Sequence, residues 1–189
     1  WNFKFEFDSQ PGYQKMNKEN KLVPGLASGF EDRWDKKLLL KKKLLKAIEN
    51  SFIKFGAEAL ETPSFEISEN IGSFLAEDET NPMSDVFSFQ DGDKSITLRY
   101  DLSSPLARFY AQNNQKLPSI FKRYQIQNVF RNEKAGNGRY REFLQADFDI
   151  VGNVNPAQAS AELCNLISST LSDCGLNKDQ FTINVSNRK

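Results

Sequence analysis

The stretch from Phe130 to Gly152, FRNEKAGNGRYREFLQADFDIVG, limits the possible folds of this chain more than any other. By residue type it is a strand, a glycine-bearing turn and a second strand. The turn is KAGNG, Lys134 to Gly138, in which Gly136 and Gly138 can take the positive φ that a hairpin demands. After it, Leu144, Ala146, Phe148 and Ile150 alternate with Gln145, Asp147 and Asp149, so the two sets fall on opposite faces. The incoming strand sorts the same way, with Tyr124, Ile126 and Phe130 on one side and Arg123, Gln125, Gln127 and Arg131 on the other. A half-apolar sheet usually turns its polar face to water. Here that face gathers amides, carboxylates and a guanidinium beside a basic turn holding Lys134, Arg139 and Arg141. Such a mixture suits a ligand that carries both phosphates and an ammonium group.

Composition narrows the chemistry. With 189 residues there is room for one domain with a core. Lys plus Arg and Asp plus Glu balance at 25 each, so no global field recruits nucleic acid or membrane, and such contacts must be local. There is no histidine, which excludes histidine bases, histidine-bearing triads and most zinc sites. Cys164 and Cys174 lack metal spacing and are expected as buried free thiols in a reducing compartment. No apolar run reaches membrane-spanning length and no signal peptide is visible, so the expected location is cytoplasmic.

Taken in order, the chain opens with Trp1 to Lys15, which shows no sustained period. Met16 followed by NKENKLVPGLASGF reads as a natural start, so residues 1–15 are expected to be an upstream, non-native segment. Residues 1–28 are read as a flexible lead-in and 29–189 as one folded unit. Asp32 is the expected N-cap of a helix running to Phe55, ended by Gly56. Its apolar stripe is Trp34, Leu38, Leu45, Ile48, Phe52 and Phe55, and its lysines form a solvated face rather than a membrane-binding one. A short strand follows over Ala57 to Glu61, stopped by Pro63. Ser68 to Pro82 is acidic and irregular, with a helical turn expected around Ile71 to Leu75. Val86 to Phe89 and Ser95 to Arg99 form a hairpin around Asp91-Gly92, which places Arg99 and Asp101 on the ligand-facing side. A short helix runs from Ser104 to about Gln112, with Pro105 in its first turn. A longer one, capped by Asn155 and opened by Pro156, runs to Cys174 before Gly175, with Leu163, Leu166, Ile167, Leu171 and Cys174 as its buried stripe. Phe181 to Val185 is the last expected strand. The sum is an α+β domain on a mainly antiparallel sheet flanked by helices.

FRNEKAGNGRYREFLQ resembles motif 2 of the class II aminoacyl-tRNA synthetases, with the FR-x-E, loop, GRYR-x-F-x-Q spacing of the histidyl-tRNA synthetase family. The segment Leu98 to Pro105, LRYDLSSP, is similar to that family's substrate loop, and the helix and strand ending at Pro63 are similar to its motif 1. The resemblance runs from Gly29 to Lys189 and implies the class II synthetase-like fold, incomplete in this chain. Its implied activity is ATP-dependent activation of histidine and transfer to the 3′ end of tRNA(His), with magnesium bridging the phosphates.

The resemblance also implies roles. Arg131 would hold the α-phosphate and be the catalytic residue, Glu133 would accept from the adenine amino group, Phe143 would stack on the ring, and Arg139 would reach the γ-phosphate. Asp101, Ser103 and Gln145 would hold the substrate's α-amino group, and Asp149 would face the imidazole; Asp147 is left as a solvating edge residue. A homodimer through the Asp32–Pro63 region is implied as well. The family's RGLDYYTG-like segment, motif 3 and anticodon-binding domain have no counterpart before Lys189, so the chain is expected to be an N-terminal piece of a longer synthetase. The alternative is the synthetase-like regulatory subunit of ATP phosphoribosyltransferase, which typically loses part of the ATP-binding set retained here.

Overall fold

A computed structural model describes residues 24–71 and 86–186. In order they form α1 (Asp35–Lys54), β1 (Glu58–Ala59), β2 (Phe65–Ile67), α2 (Ser68–Ile71), β3 (Ser88–Asp91), β4 (Lys94–Leu98), α3 (Ser103–Asn113), β5 (Ile120–Phe130), β6 (Glu142–Gly152) and α4 (Pro156–Asp173). β5 and β6 are the hairpin that the alternation demands, paired antiparallel from Ile120↔Gly152 to Phe130↔Glu142. The register sets Tyr124 opposite Phe148 and Ile126 opposite Ala146. It equally sets Arg123 opposite Asp149, Gln125 opposite Asp147 and Gln127 opposite Gln145. Over this central stretch polar and apolar residues keep to separate faces, since a slip by one residue would exchange them, whereas towards the two ends the pairs Phe121↔Val151 and Val129↔Phe143 place apolar residues on the polar side. At the far end Gly152 is required: with φ +137°, any Cβ there would lie 2.1 Å from the Ser119 carbonyl oxygen.

The apolar face is covered by α1 and α4. Phe52, Ala57, Tyr124 and Leu166 form the buried cluster, with Ile48, Phe55, Ile126, Phe148 and Leu163 packed around it. Phe52 meets Phe148 edge-on at 5.6 Å between centroids and Tyr124 at 5.9 Å. Each large apolar side chain fully buried in such a cluster contributes roughly 1.5–3 kcal/mol. A polar clamp holds the two helices together: buried Ser51 donates to Asp173 at 2.7 Å, and Lys54 reaches the same carboxylate at 2.9 Å.

β1 joins this sheet parallel to β5, so the order is β1-β5-β6 with β6 at the edge. A second, antiparallel sheet has the order β2-β4-β3. Its inner face carries Glu66 and Thr97, both buried, and Arg108 of α3 forks onto Glu66 at 2.7 and 2.8 Å. Phe65, Ile67 and Phe89 lie on its outer face and are exposed. The α+β, mainly antiparallel expectation holds, with β1 as the parallel exception.

Several expectations differ in detail. α1 starts at Asp35, not after an Asp32 cap; the preceding residue is Trp34, which makes no side-chain capping bond. Glu31 is tied to Arg33 at 2.6 Å, and the chain enters the helix through Asp35 at φ +54°, a conformation aspartate tolerates better than most residues. Only Phe52 of the expected α1 stripe is fully buried, and Trp34 is 77% exposed. The strand after Gly56 is confined to Glu58–Ala59, and β2 was not anticipated because three residues carry too little alternation. A helical turn lies at Ser68–Ile71; of the turn expected around Ile71 to Leu75, residues 72–75 lie outside the described residues. The second hairpin closes on Asp91↔Lys94, which shifts its two-residue loop to Gly92-Asp93. Phe181 to Val185 is not a strand: residues 181–186 carry no strand assignment and pair with nothing in either sheet. Alternation gives a strand only where a neighbouring backbone accepts the hydrogen bonds.

α4 is capped as expected. Asn155 Oδ1 accepts from the amides of Ala157 and Gln158, and Gly175 follows at φ +96°. Its stripe is buried at Leu166 but open at Ile167. Cys164 and Cys174 are free, as expected, though half-buried rather than enclosed. No helix among the described residues is long and apolar enough to cross a membrane.

Candidate active site

Two clusters hang from the central hairpin. The first is built where β5 ends. The Phe130 amide donates to the Arg99 carbonyl at 3.0 Å, which draws the segment after β4 against the end of β5. Arg131 then lies between two rings, its guanidinium carbon 4.4 Å from the Tyr100 centroid and 5.1 Å from that of Phe143. Stacking of this kind holds a guanidinium in place while its N–H edges stay available. Glu133 lies 4.0 Å from Arg131 Nη1 and 3.7 Å from Arg139 Nε.

The intervening turn is tighter than the KAGNG reading. Gly136 and Arg139 exchange backbone hydrogen bonds at 3.2 and 3.0 Å around Asn137-Gly138. Gly138 takes φ +74° as expected, whereas Gly136 is not among the positive-φ residues. Arg141 staples the base of the loop: its Nε donates to the Glu133 carbonyl at 2.9 Å and its amide to the Gly29 carbonyl at 2.7 Å. The result is an open cleft of about 390 Å³ lined by Arg131, Glu133, Gly138, Arg139, Tyr140 and Phe143. All four residues assigned to the nucleotide by resemblance thus line one cleft. Two guanidiniums, one acceptor carboxylate and an aromatic face suit a polyphosphate attached to a planar ring.

The second cluster occupies the polar face of the hairpin, with Arg123 and Gln125 buried and the carboxylates around them half-buried. Arg123 has no exposed side-chain surface; its Nη2 lies 2.7 Å from Asp149 Oδ2 and 3.9 Å from Asp147 Oδ2. The same guanidinium donates to Gln125 Oε1 at 3.0 Å and to the Leu102 carbonyl at 3.1 Å. Gln145 donates to Asp147 at 3.0 Å, so Asp147 is more than an edge solvator. Asp101 Oδ1 accepts from the Ser104 amide at 3.2 Å and so tethers the start of α3, where Ser103 is exposed. Burial raises the Asp149 carboxyl above its ordinary value; Arg123 opposes this, while Asp147 and Asp101 add to it. Burial likewise lowers Arg123, against the pull of Asp149, Asp147 and Asp101.

Arg99, expected on the ligand-facing side, is committed to protein acceptors instead. It is buried, donates to the carbonyls of Thr62 (2.7 Å) and Asn128 (2.6 Å) and to Gln127 (3.1 Å), and so acts as a strut between the two sheets. Alternation placed it on the polar side correctly but could not show that the polar side is covered there. Two residues with evident influence on the clusters were not singled out. Tyr100 lies inside the LRYDLSSP segment, between Arg99 and Asp101, but was given no role there. Arg123 becomes visible once the hairpin register makes it the direct partner of Asp149.

The two mainly antiparallel sheets, their flanking helices and the arginine-lined hairpin make a class II synthetase-like fold, incomplete in this chain. Among solved structures, histidyl-tRNA synthetase from Nostoc sp. PCC 7120 superposes with a TM-score of 0.66 at 25% identity, over 78% of this chain and 34% of that one. An ATP phosphoribosyltransferase regulatory subunit/histidyl-tRNA synthetase from Bacillus halodurans gives 0.71 at 22% identity, over 84% of this chain and 40% of that one. A family model described as histidyl-tRNA synthetase matches residues 29–189. The histidine–tRNA ligase of Pelagibacter ubique (strain HTCC1062) is 78% identical over 174 residues, which are 92% of this chain and 37% of the relative. That of Methylocella silvestris is 44% identical over 177 residues, 90% of this chain and 35% of the relative. The chain belongs to the histidyl-tRNA synthetase family, and it spans a little over a third of the length of these curated relatives.

Proposed function

We propose that this chain provides the first part of the catalytic site of a histidine–tRNA ligase, which condenses histidine with ATP and passes the histidyl group to the 3′ end of tRNA(His). The observation that carries the reading is the placement of Arg131 between Tyr100 and Phe143, beside Glu133 and Arg139 and on the same hairpin as Asp149. In the first step a carboxylate oxygen of histidine attacks the α-phosphorus, and the bond to pyrophosphate breaks. The carboxylate has no proton to lose, so no protein base is needed; what the step needs is cationic stabilisation of phosphate oxygens. Arg131 supplies this at the α-phosphate and Arg139 at the γ-phosphate, while Glu133 accepts from the adenine amino group and Phe143 receives the ring. Among the described residues no group of three or more His, Cys, Asp or Glu is placed to hold a metal ion. Magnesium would accompany ATP as part of the substrate and offset the negative charge of its phosphates.

Asp101, Ser103 and Gln145 take the α-ammonium group and Asp149 an imidazole N–H. The protein works in the cytoplasm as a homodimer joined through the Asp32–Pro63 region. Supporting that surface, Trp34, just before α1, and Leu39, Leu40 and Leu44 within it are exposed, apolar area of the kind that marks association.

The complete natural protein carrying this sequence should catalyse ATP–pyrophosphate exchange that depends on histidine. Exchange independent of histidine, or supported equally by other amino acids, would overturn the reading. A non-catalytic regulatory role is disfavoured by the intact Arg131, Glu133, Arg139 and Phe143 set; binding of histidine with no exchange would reinstate it.

A further inference from the structure

The proposed site uses Asp149 as an acceptor for the ligand, yet Asp149 is poorly placed to stay ionised on its own. Its Oδ2 is sealed from solvent with no aligned hydrogen bond, while about a third of the side chain is open. The charged groups facing it are Asp147 on its own strand, Asp101 ahead of α3, and Arg123 across the hairpin. Three carboxylates thus share a half-buried corner with one guanidinium. Like charges grouped in this way drive one another toward protonation.

We propose that Arg123 is a positioning residue for Asp149: it pins Oδ2 from inside the sheet, keeps the carboxylate charged, and leaves Oδ1 to the ligand. This rests on the reading of Asp149 as the imidazole acceptor. Four observations carry it. Arg123 is the direct cross-strand partner of Asp149, so the hairpin register itself delivers one to the other. It is wholly buried, and an arginine is rarely so unless it is paired. Its Nη2 approaches Asp149 Oδ2 to 2.7 Å while also donating to the Leu102 carbonyl, and its Nη1 is held by Gln125, which is itself bonded to Thr62. The guanidinium is therefore fixed from three sides and cannot swing out to contact a ligand. Its Nε, buried and without a partner, is a donor left unmatched in an otherwise committed group.

The consequence for binding follows from charge. An Asp149 already paired with Arg123 presents an acceptor oxygen without a full unbalanced charge. A neutral imidazole N–H can use that oxygen, and no protonated ring is required. Without Arg123, burial together with Asp147 and Asp101 leaves Asp149 protonated at higher pH, and the acceptor is lost.

The test uses the complete natural protein with Arg123→Gln and Arg123→Lys, measuring the KM for histidine and for ATP by pyrophosphate exchange from pH 6 to 9. Dividing each variant's histidine KM by the parent's cancels the titration of histidine itself. For Arg123→Gln the ratio should grow as pH falls, by up to about tenfold per pH unit, as for any single linked proton. The KM for ATP should stay near the parent's. Arg123→Lys keeps a cation but not the fork, so its ratio should be raised by roughly three- to tenfold and flat with pH. A purely structural arginine would instead raise both KM values together, or lower the thermal midpoint with no pH-dependent ratio; either result overturns the proposal. If Arg123→Gln does not fold, the lysine variant decides: an unchanged histidine KM, or equal changes for both substrates, overturns it. A parent without histidine-dependent exchange overturns the functional reading and this inference with it. A parent that exchanges, with flat ratios near one in the variants, overturns the role of Arg123 alone.

Discussion

Gly29 lies directly beneath the side chain of Arg141: a Cβ on Gly29 would meet Arg141 Cγ at 2.7 Å, and its carbonyl accepts the Arg141 amide at 2.7 Å. Gly29 also sits at φ +83°, where side chains other than hydrogen are strained. Arg141 in turn donates to the Glu133 carbonyl, so the segment before α1 supports the loop of the cleft from below. Gly29→Ala should therefore destabilise the protein by about 1–3 kcal/mol, the usual range for overpacking a fitted site. In the complete protein it should also raise the KM for ATP more than that for histidine. Chemical denaturation with separate titrations of the two substrates checks both.

Arg131→Ala should act on the chemical step. Removing one preorganised donor from a developing charge typically costs on the order of a hundredfold or more in rate. Single-turnover formation of the adenylate should show this loss while the thermal midpoint changes little. A lowered midpoint with a near-normal rate per folded molecule would mean that Arg131 only braces Tyr100 and Phe143.

If Asp149 accepts from the imidazole as proposed, its carboxylate governs the choice of amino acid. Asp149→Ala should raise the histidine requirement steeply and leave the KM for ATP nearly unchanged, because an acceptor matched to an N–H discriminates strongly against ligands that lack one. Asp149→Asn should be milder, since the amide oxygen still accepts. Pyrophosphate exchange across a histidine titration reads both. Wild-type dependence in both variants would remove Asp149 from the site.

The clamp between α1 and α4 should be acid-sensitive. Hydrogen bonds from Lys54 and Ser51 lower the Asp173 carboxyl below its ordinary value, outweighing its desolvation. A group depressed in the folded state adds stability that is present above its unfolded value and lost as pH falls through its folded value. Stability should therefore decline below the ordinary aspartate range, and Asp173→Asn should flatten that part of the profile. Denaturant midpoints measured from pH 6 down to pH 2.5 test this.

The hairpin was the most legible part of the chain because its two-residue period is carried by strong contrasts: Phe148 against Asp149, Tyr124 against Arg123. α4 was equally legible, since Asn155, Pro156 and Gly175 each act locally at a helix end. Long-range pairing was not. The side of β1 that joins β5, the burial of Arg99 and the pairing of β2 with β4 all depend on elements distant in sequence, and no local signal reports them. Asp32 shows the same limit from the other direction: it is a good capping residue type, but the chain enters the helix three residues later. The site followed this division. Arg131, Glu133, Arg139 and Phe143 could be named from one continuous motif, whereas Arg123 emerged only from register and cover.

β6 carries one further consequence. Its eleven residues pair with β5 along one side, and along the other no strand among the described residues takes up their amides and carbonyls. Exposed Ile167 of α4 lines a hollow together with Ala146 and Phe148 of the same strand. Such a row is a template, and a template does not discriminate between a proper neighbour and any extended peptide in solution. Handled by itself, this polypeptide should be limited less by heat than by crowding. Its losses during refolding or storage should scale with concentration, and a short strand-forming peptide added in excess should slow them.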